Sequence, residues 1–423
     1  MLLKPTNPSP GGPNQKIERR TNQYETADVS MSTRKPTFAH PRDRSSLVLF
    51  AYEYPPVSGG IARLCAEIGR IFQQDQVNAI VLTQNTSAAV LDTGLPQRRV
   101  DPRRPIREWQ ALSWLRKRRR ERPNSRQPII CGVWYPEGLI AYLAGVRPLV
   151  ILAHGAELLP PVSRWRRSLW SALQRLVLES ANLVIANSEY TRELVSKAAP
   201  KARVEAIPLA VDPDRFAPGD RATAKSKFGV AGKRVLCTVS RIEHYKAHDT
   251  VLRAIAKLTL DEREQVVYLV IGRGQHEPEL RKLTIELGIE SSVRWWGFVS
   301  EEDLPQVYWA SDLFVLCTRN APEERAVEGF GLVFLEAQSC GIPVVGTRSG
   351  GIPDAIREGQ SGWLIEQDDT ESLANIIRNL VHSPESFRAV GKQARERVLR
   401  ESTWEVYGGR LSSALKNRGI FHE

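Results

Sequence analysis

The sequence predicts an α/β protein of two successive domains, each a parallel sheet flanked by helices, and three observations predict it. Short runs rich in Val, Ile and Leu alternate with amphipathic stretches from Leu47 to Ala186, and the alternation starts afresh at Val235. Between these stretches the segment from Ile207 to Gly219 is dense in turn formers and marks a linker. A chain of 423 residues, 42% apolar and 25% charged, is long enough for two separate cores.

Taken in order, residues 1–44 are rich in Pro, Asn, Ser, Thr and Arg, lack the apolar core of a signal peptide, and are expected to be a disordered extension. The first domain, 45–215, opens with a strand from Leu47 to Ala51, a loop through Pro55, Pro56, Gly59 and Gly60, and a helix from Ile61 to Phe72. Further strands are expected at Val77 to Leu82, Pro128 to Val133, Leu149 to Ala153 and Leu183 to Ala186. The second domain, 216–400, carries strands at Val235 to Ser240, Val266 to Ile271 and Val293 to Trp296. Helices at Asp249 to Leu258, Pro278 to Leu287 and Leu304 to Trp309 alternate with them. No apolar run reaches the ~18 residues of a membrane span. The longest, Gly138 to Leu159, is interrupted by Arg147, Pro148 and His154 and reads as a short helix followed by a strand. Cys65, Cys131, Cys237, Cys317 and Cys340 lie far apart with no C-x-x-C pair, as buried reduced thiols of a cytoplasmic protein do.

The segment Ser311 to Asp354 carries the most chemistry. The apolar run Leu313 to Leu316 leads through a charged loop into Glu328-Gly329-Phe330-Gly331 and a helix that holds Glu336. Glycines let a backbone approach a phosphate, and the amides of Phe330, Gly331 and Leu332 are donors for it. The carboxylates of Glu328 and Glu336 suit the hydroxyls of a sugar or ribose. Two other strands end in comparable groups: Arg241 and Lys246 follow the first strand of this domain, and Gly272-Arg273-Gly274 follows the second. The carboxyl ends of parallel strands share one rim, so two cations, glycine turns and two carboxylates converge there as a nucleotide diphosphate site. A G-x-G-x-x-G after the first strand is absent, which argues against NAD or FAD. His244 and His248 stand four apart with no third ligand and are expected to be loop histidines rather than a metal site.

The net charge of +11 is concentrated between Arg98 and Arg126, where twelve Lys and Arg face three acids. Trp109, Leu112, Trp114 and Leu115 precede the run Arg116 to Arg120, an aromatic body beside a cationic block. Arg164 to Trp170 continues into Leu173, Leu176 and Val177 at helical spacing. Contact with an anionic membrane surface is the expectation; the plainer alternative is a solvated loop and a core-facing helix. Nucleic acid is not expected, since no nucleic-acid-binding motif accompanies the charge.

Arg241, Lys246, Gly272-x-Gly274, the Glu328-x7-Glu336 pair and Gly341 to Val345 together resemble the retaining glycosyltransferases of family 4, over nearly the whole chain from about Ser46. Gly59-Gly60, His154 to Glu157 and Asn187 to Thr191 match as well. The loop from Thr318 to Glu328 and the His-Gly-x-Glu segment look most like the phosphatidylinositol mannoside mannosyltransferase subgroup, whereas Leu209-Ala210 departs from the usual Asn-Gly or Ser-Gly pair. The resemblance implies a GT-B fold, two Rossmann-like α/β/α domains facing across a cleft, with 401–423 a helix crossing back to the first. It implies Glu336 on the donor ribose, Glu328 on the sugar ring and Arg241 with Lys246 on the diphosphate. Gly59 and Gly60 would meet the phosphate from the opposite domain, His154 the transferred sugar, and Gly297 to Val299 the base. Donor binding would also draw on Gly272, Gly274, Phe330, Gly331 and Leu332. The implied reaction moves a hexose, mannose in the named subgroup, from a GDP- or UDP-sugar to a lipid-linked or glycan acceptor. It needs no metal and no cofactor beyond the donor, and runs at the inner face of the membrane. A sugar-nucleotide epimerase of similar architecture would lack the Glu328/Glu336 spacing and require an acid/base pair that the sequence does not offer. A catalytically silent partner subunit would be expected to have lost one of the charged motif residues.

Overall fold

The computed structural model describes residues 47–57, 59–86, 93–123, 127–161 and 164–421. The expected disordered extension 1–44 and Arg126 lie outside the described residues, as do the side chains of residues 164–166.

Seven strands form the first sheet: β1 (Leu47–Phe50), β2 (Ala79–Gln84), β3 (Gln97–Val100), β4 (Ile129–Cys131), β5 (Leu149–Ala153), β6 (Leu183–Ala186) and β7 (Val204–Ala206). Six form the second: β8 (Arg234–Val239), β9 (Val266–Ile271), β10 (Val293–Gly297), β11 (Leu313–Leu316), β12 (Val344–Thr347) and β13 (Gly362–Ile365). Every pairing is parallel. Sheets covered on both faces need strands apolar on both sides, which is why β1, β5, β9 and β11 are buried along their whole length.

The strand orders are β3-β2-β1-β4-β5-β6-β7 and β10-β9-β8-β11-β12-β13. In each sheet the chain steps outward from its first strand, then returns beside it and steps the other way. Loops leaving β1 and β4, and those leaving β8 and β11, therefore diverge and open a crevice at the carboxyl rim.

Helix α1 (Gly60–Gln74) buries Leu64, Cys65, Ile68, Ile71 and Phe72. The helix Trp404–Asn417 lies on it so closely that a methyl at Gly408 would sit 3.1 Å from Ile71. All five cysteines are buried and free, and burial pushes their thiols up.

Four strands escape sequence reading: β3, β7, β12 and β13. β3 and β7 are the edges of the first sheet, short and polar (Gln-Arg-Arg-Val and Val-Glu-Ala), because an edge strand needs no continuous apolar face. The aromatic body expected beside the cationic block is only partly exposed. Within the basic segment Arg98 and Arg99 lie in β3 and residues 106–121 form α2 (Ile106–Glu121), in which Leu115 is buried and Trp114 half-buried, with the Arg118 guanidinium 5.3 Å from the Trp114 ring. Arg107 is buried over Tyr52 at 3.9 Å. Of the expected interfacial aromatics only Trp109, 68% exposed, faces solvent. After α3 (Leu139–Ala144) comes α4 (Arg164–Ser180), where Val177 is buried while Leu169 and Leu176 are exposed, so its apolar residues do not all face the core.

Candidate active site

The crevice between β8 and β11 collects the predicted cations and carboxylates. The loop after β8 lies against the loop after β9, with the amide of Ile242 donating to Arg273 O at 3.0 Å and that of His276 to Ile242 O at 3.1 Å. Gly272, at φ +130°, and Gly274 face the carbonyl groups of Ser240 and Ile242, where any Cβ would collide. These glycines, expected on a phosphate, have a packing duty: they let the loop carrying Arg241 and Lys246 settle.

Lys246 Nζ donates to Glu328 Oε2 at 2.6 Å, their side chains 11% and 18% exposed. Burial works to lower the Lys246 pKa, but the Glu328 carboxylate and Tyr245 outweigh it and raise it, so the ammonium persists. Arg241 is exposed and reaches Glu243 at 3.4 Å.

His248 was expected in a loop, yet it opens the helix His248–Ala256 and is buried. Its Nε2 lies 3.1 Å from Ser240 Oγ and its Nδ1 2.9 Å from Tyr268 OH, which in turn donates to Thr238 Oγ1 at 2.8 Å. Burial, helped by the Lys246 charge, pushes the imidazole down to about 3, so it braces the Lys246 loop as a neutral ring. His244 is exposed and pairs with Glu324 at 2.9 Å.

The loop after β11 meets the first domain. A Cβ at Gly329 would strike the carbonyl oxygen of His154, so a glycine there lets the two rims touch. His154 follows β5; its Nε2 faces Gly132 O at 2.7 Å, its amide donates to Glu157 Oε1 at 2.6 Å, and its carbonyl accepts from Asn187 Nδ2 at 3.2 Å. Glu157 thus caps the turn. Two further bonds cross between the rims: the amide of Glu189 to Asp354 Oδ2 at 2.5 Å and Arg325 Nη2 to Leu159 O at 2.8 Å. Gly351 N donates to Glu328 O at 2.8 Å and fixes the carboxylate's backbone. The helix Leu332–Ser339 starts from Gly331 at φ +86°, behind Phe330, which is buried in the core, and Leu332 stands half-buried at its first turn.

Glu336 is 1% exposed. Tyr308 OH donates to one oxygen at 2.7 Å and Arg63 Nη1 to the other. Arg63 also pairs through Nη2 with Glu301 at 2.6 Å, and Glu301 pairs with Arg215 at 2.6 Å. Arg63 stands one turn into α1, its amide donating to Gly59 O at 3.0 Å. It therefore brings Gly59, Gly60 and the amino end of α1, which has no side-chain cap, up to the second domain. Sequence reading missed Arg63; its place one turn after the glycine pair was the available signal. Val299 is half-buried after β10, beside Phe298, 70% exposed, and Gly272 N donates to Gly297 O at 2.8 Å. Across the cleft, Glu137 follows β4 and is buried, one oxygen accepting from Tyr52 N at 3.1 Å. Burial pushes its carboxyl up to about 7.

The structure thus brings Lys246, Glu328 and the His154 turn together, and Glu336 to the start of α1; Arg241 and the segment after β10 stand at the margin of the same rim. Among the described residues no cluster of three His, Cys, Asp or Glu is arranged for a metal ion, and no helix is long and apolar enough to cross a membrane.

Two family profiles match the chain: "Glycosyltransferase Family 4" over residues 58–215 and "Glycosyl transferases group 1" over 220–397. The chain is 31% identical over 287 residues to a GDP-mannose-dependent α-(1-6)-phosphatidylinositol monomannoside mannosyltransferase of Mycolicibacterium smegmatis, covering 66% of this chain and 73% of the relative. It is 37% identical over 240 residues to a D-inositol 3-phosphate glycosyltransferase of Saccharomonospora viridis, covering 54% of each. Among solved structures, Alr3699/HepE of Anabaena in complex with UDP superposes with a TM-score of 0.72 at 20% identity, over 88% of this chain and 99% of that one.

Proposed function

Since the chain belongs to glycosyltransferase family 4 and is a retaining hexosyltransferase of GT-B fold, we propose that it transfers mannose from GDP-mannose to a hydroxyl of an inositol-bearing glycolipid. The observation that carries this reading is the Lys246–Glu328 pair, set in the β8/β11 crevice and faced by the His154 turn of the other domain. Both relatives described above are named for inositol-containing acceptors or products, and the longer match is named for GDP-mannose. Residues 45–215 would receive the acceptor, residues 216–400 the donor, and the segment 401–423 would tie the two.

In this reading the diphosphate lies beside Lys246 and Arg241, under the amides that open the helix at Leu332 and the amino end of α1 at Gly59 and Gly60. Glu328 accepts from sugar hydroxyls, Glu336 from the ribose, and the backbone up to Val299 borders the base. As the glycosidic bond breaks, negative charge grows on the leaving diphosphate. Fixed cations therefore bind the transition state more strongly than the donor. The acceptor hydroxyl attacks on the face the diphosphate leaves, and that diphosphate takes its proton, which preserves the anomeric configuration. His154, its Nε2 engaged by Gly132 O, would border the transferred sugar.

The acceptor's lipid would bring the first domain onto an anionic inner-leaflet surface. Exposed Trp109, Leu169 and Leu176 and the exposed bases Arg116, Lys117, Arg119 and Arg120 support that. The test is transfer from GDP-mannose to phosphatidylinositol mannoside in EDTA, with the product anomer read by NMR. Retained α-mannose in the presence of chelator is expected. Preference for a UDP-sugar, or complete metal-reversible inhibition, would contradict the proposal.

A further inference from the structure

Just before Glu328, the loop after β11 folds into a tight hairpin, with Ala321 N donating to Ala326 O at 3.1 Å and Ala326 N to Ala321 O at 3.0 Å. Arg325 stands in it with φ +54°, a left-handed backbone that penalises any residue with a Cβ and that glycine adopts freely. Its guanidinium crosses to the first domain, Nη2 donating to Leu159 O at 2.8 Å. The turn that receives it is held from its own side: Trp134 Nε1 donates to Glu157 O at 2.9 Å and Gln174 Nε2 to Leu158 O at 3.0 Å.

The plain account of Arg325 is a tether between the two rims. That account leaves most of the fork unused, since Nε is buried with no acceptor and no carboxylate among the described residues pairs with the guanidinium. Two acids near it in the chain or across the rim are turned elsewhere: Glu324 pairs with His244 at 2.9 Å and Glu157 accepts from the His154 amide at 2.6 Å. A left-handed backbone and an unmet buried donor are both unfavourable to the fold, and one carbonyl bond accounts for neither. Such features gather where a loop is shaped for a ligand.

We propose that Arg325 binds the phosphate carried by the acceptor, between the His154 turn and the Glu328 loop, while a hydroxyl of the same molecule attacks. The inference rests on the inositol-bearing glycolipid proposed above as acceptor, and gives that acceptor a ligand from the donor domain. A guanidinium fork matches two phosphate oxygens, and a half-buried position strengthens the pairing relative to a solvated surface. Lys246 and Arg241 serve the donor diphosphate, so a second anion in the cleft needs a cation of its own. Arg325 lies three residues before Glu328 on one loop, so a sugar seated on Glu328 would bring an acceptor phosphate toward the hairpin. The first domain holds the acceptor and the second holds Arg325, so this contact forms only with the rims together.

The test is mannose transfer by the full chain at saturating GDP-mannose, comparing glycerophosphoinositol mannoside with the mannosyl-inositol that lacks its phosphate. Arg325→Gly suits the left-handed backbone and keeps the hairpin, yet should raise KM for the phosphorylated acceptor about tenfold or more, as loss of a charge-assisted contact does. KM for the phosphate-free acceptor, and kcat with either, should stay within about twofold, because only acceptor binding is lost. Arg325→Lys restores the charge without the fork and should recover part of the affinity. Equal losses on both acceptors would make Arg325 a tether and overturn the assignment, as would an unchanged KM for the phosphorylated one. If the unaltered protein transfers no mannose, the function proposed above fails on its own, and calorimetric titration with the same two acceptors decides Arg325. Weaker binding of the phosphorylated acceptor alone by Arg325→Gly then supports the site; equal affinity in parent and variant, or no binding by the parent, overturns it.

Discussion

Replacing Arg63 by Met separates the stability of the closed cleft from its chemistry. The substitution keeps most of the aliphatic stem and removes the guanidinium from Glu336, 1% exposed, and from Glu301. Breaking a buried ion pair costs about 3–5 kcal/mol, because the remaining charge is left without its partner. Glu336 keeps the Tyr308 hydroxyl at 2.7 Å and Glu301 keeps Arg215 at 2.6 Å, so the lower end, about 3 kcal/mol, is expected. Urea unfolding without ligand should report that loss. GDP should then stabilise the variant more than the parent, because ribose hydroxyls would meet a carboxylate that Arg63 no longer holds. If half the loss is recovered on binding, GDP affinity rises about tenfold, since about 1.4 kcal/mol is one decade. Weaker GDP binding in the variant, measured by calorimetry, would refute the assignment of Glu336 to the ribose and make Arg63 itself a ligand group.

Further outcomes follow from other contacts. Glu137, raised by burial from 4.5 to about 7, contributes stability that is full below pH 4.5 and lost as pH rises through about 7. Glu137→Gln should remove that slope, so the parent loses about 3 kcal/mol against the variant between pH 4 and pH 8 in paired urea melts, and parallel curves would show the carboxyl is not protonated in the fold. Gly329→Ala puts a methyl into the His154 carbonyl and should cost about 1–3 kcal/mol together with most of the transfer activity; a fully active, equally stable variant would mean the rims do not meet as described. The parent should sediment with anionic vesicles at low salt and release as the Debye length shrinks to ~8 Å. Trp109→Ser should weaken that binding, and failure of the parent to sediment would point to a soluble acceptor.

How much was legible follows from which interactions are local. β5, β6 and β11 could be bounded to the residue because a strand buried on both faces must be continuously apolar. β3 could not, since Gln-Arg-Arg-Val at a sheet edge has no such signature. The meeting of Lys246 with Glu328 was legible from strand order alone: both follow strands whose carboxyl ends share the rim. Arg63 was not, because its partner Glu336 is 273 residues away in the other domain and no periodicity records that contact. The basic helix misled for a related reason. Charge counting gave its field correctly but not that Arg107 and Arg118 are buried, since burial of an arginine depends on Tyr52 and Trp114, the rings they stack on. His248 differs from an exposed loop histidine only through Ser240 and Tyr268, which the fold brings to it.

The most direct test of the donor site is Lys246→Ala, assayed for mannose transfer at saturating donor and, separately, for GDP affinity. The leaving-group charge that Lys246 meets develops in the transition state, so turnover should fall about 10²-fold or more while GDP affinity falls by much less. Unchanged turnover, or losses of equal size in both measurements, would contradict the placement of the departing diphosphate beside Lys246.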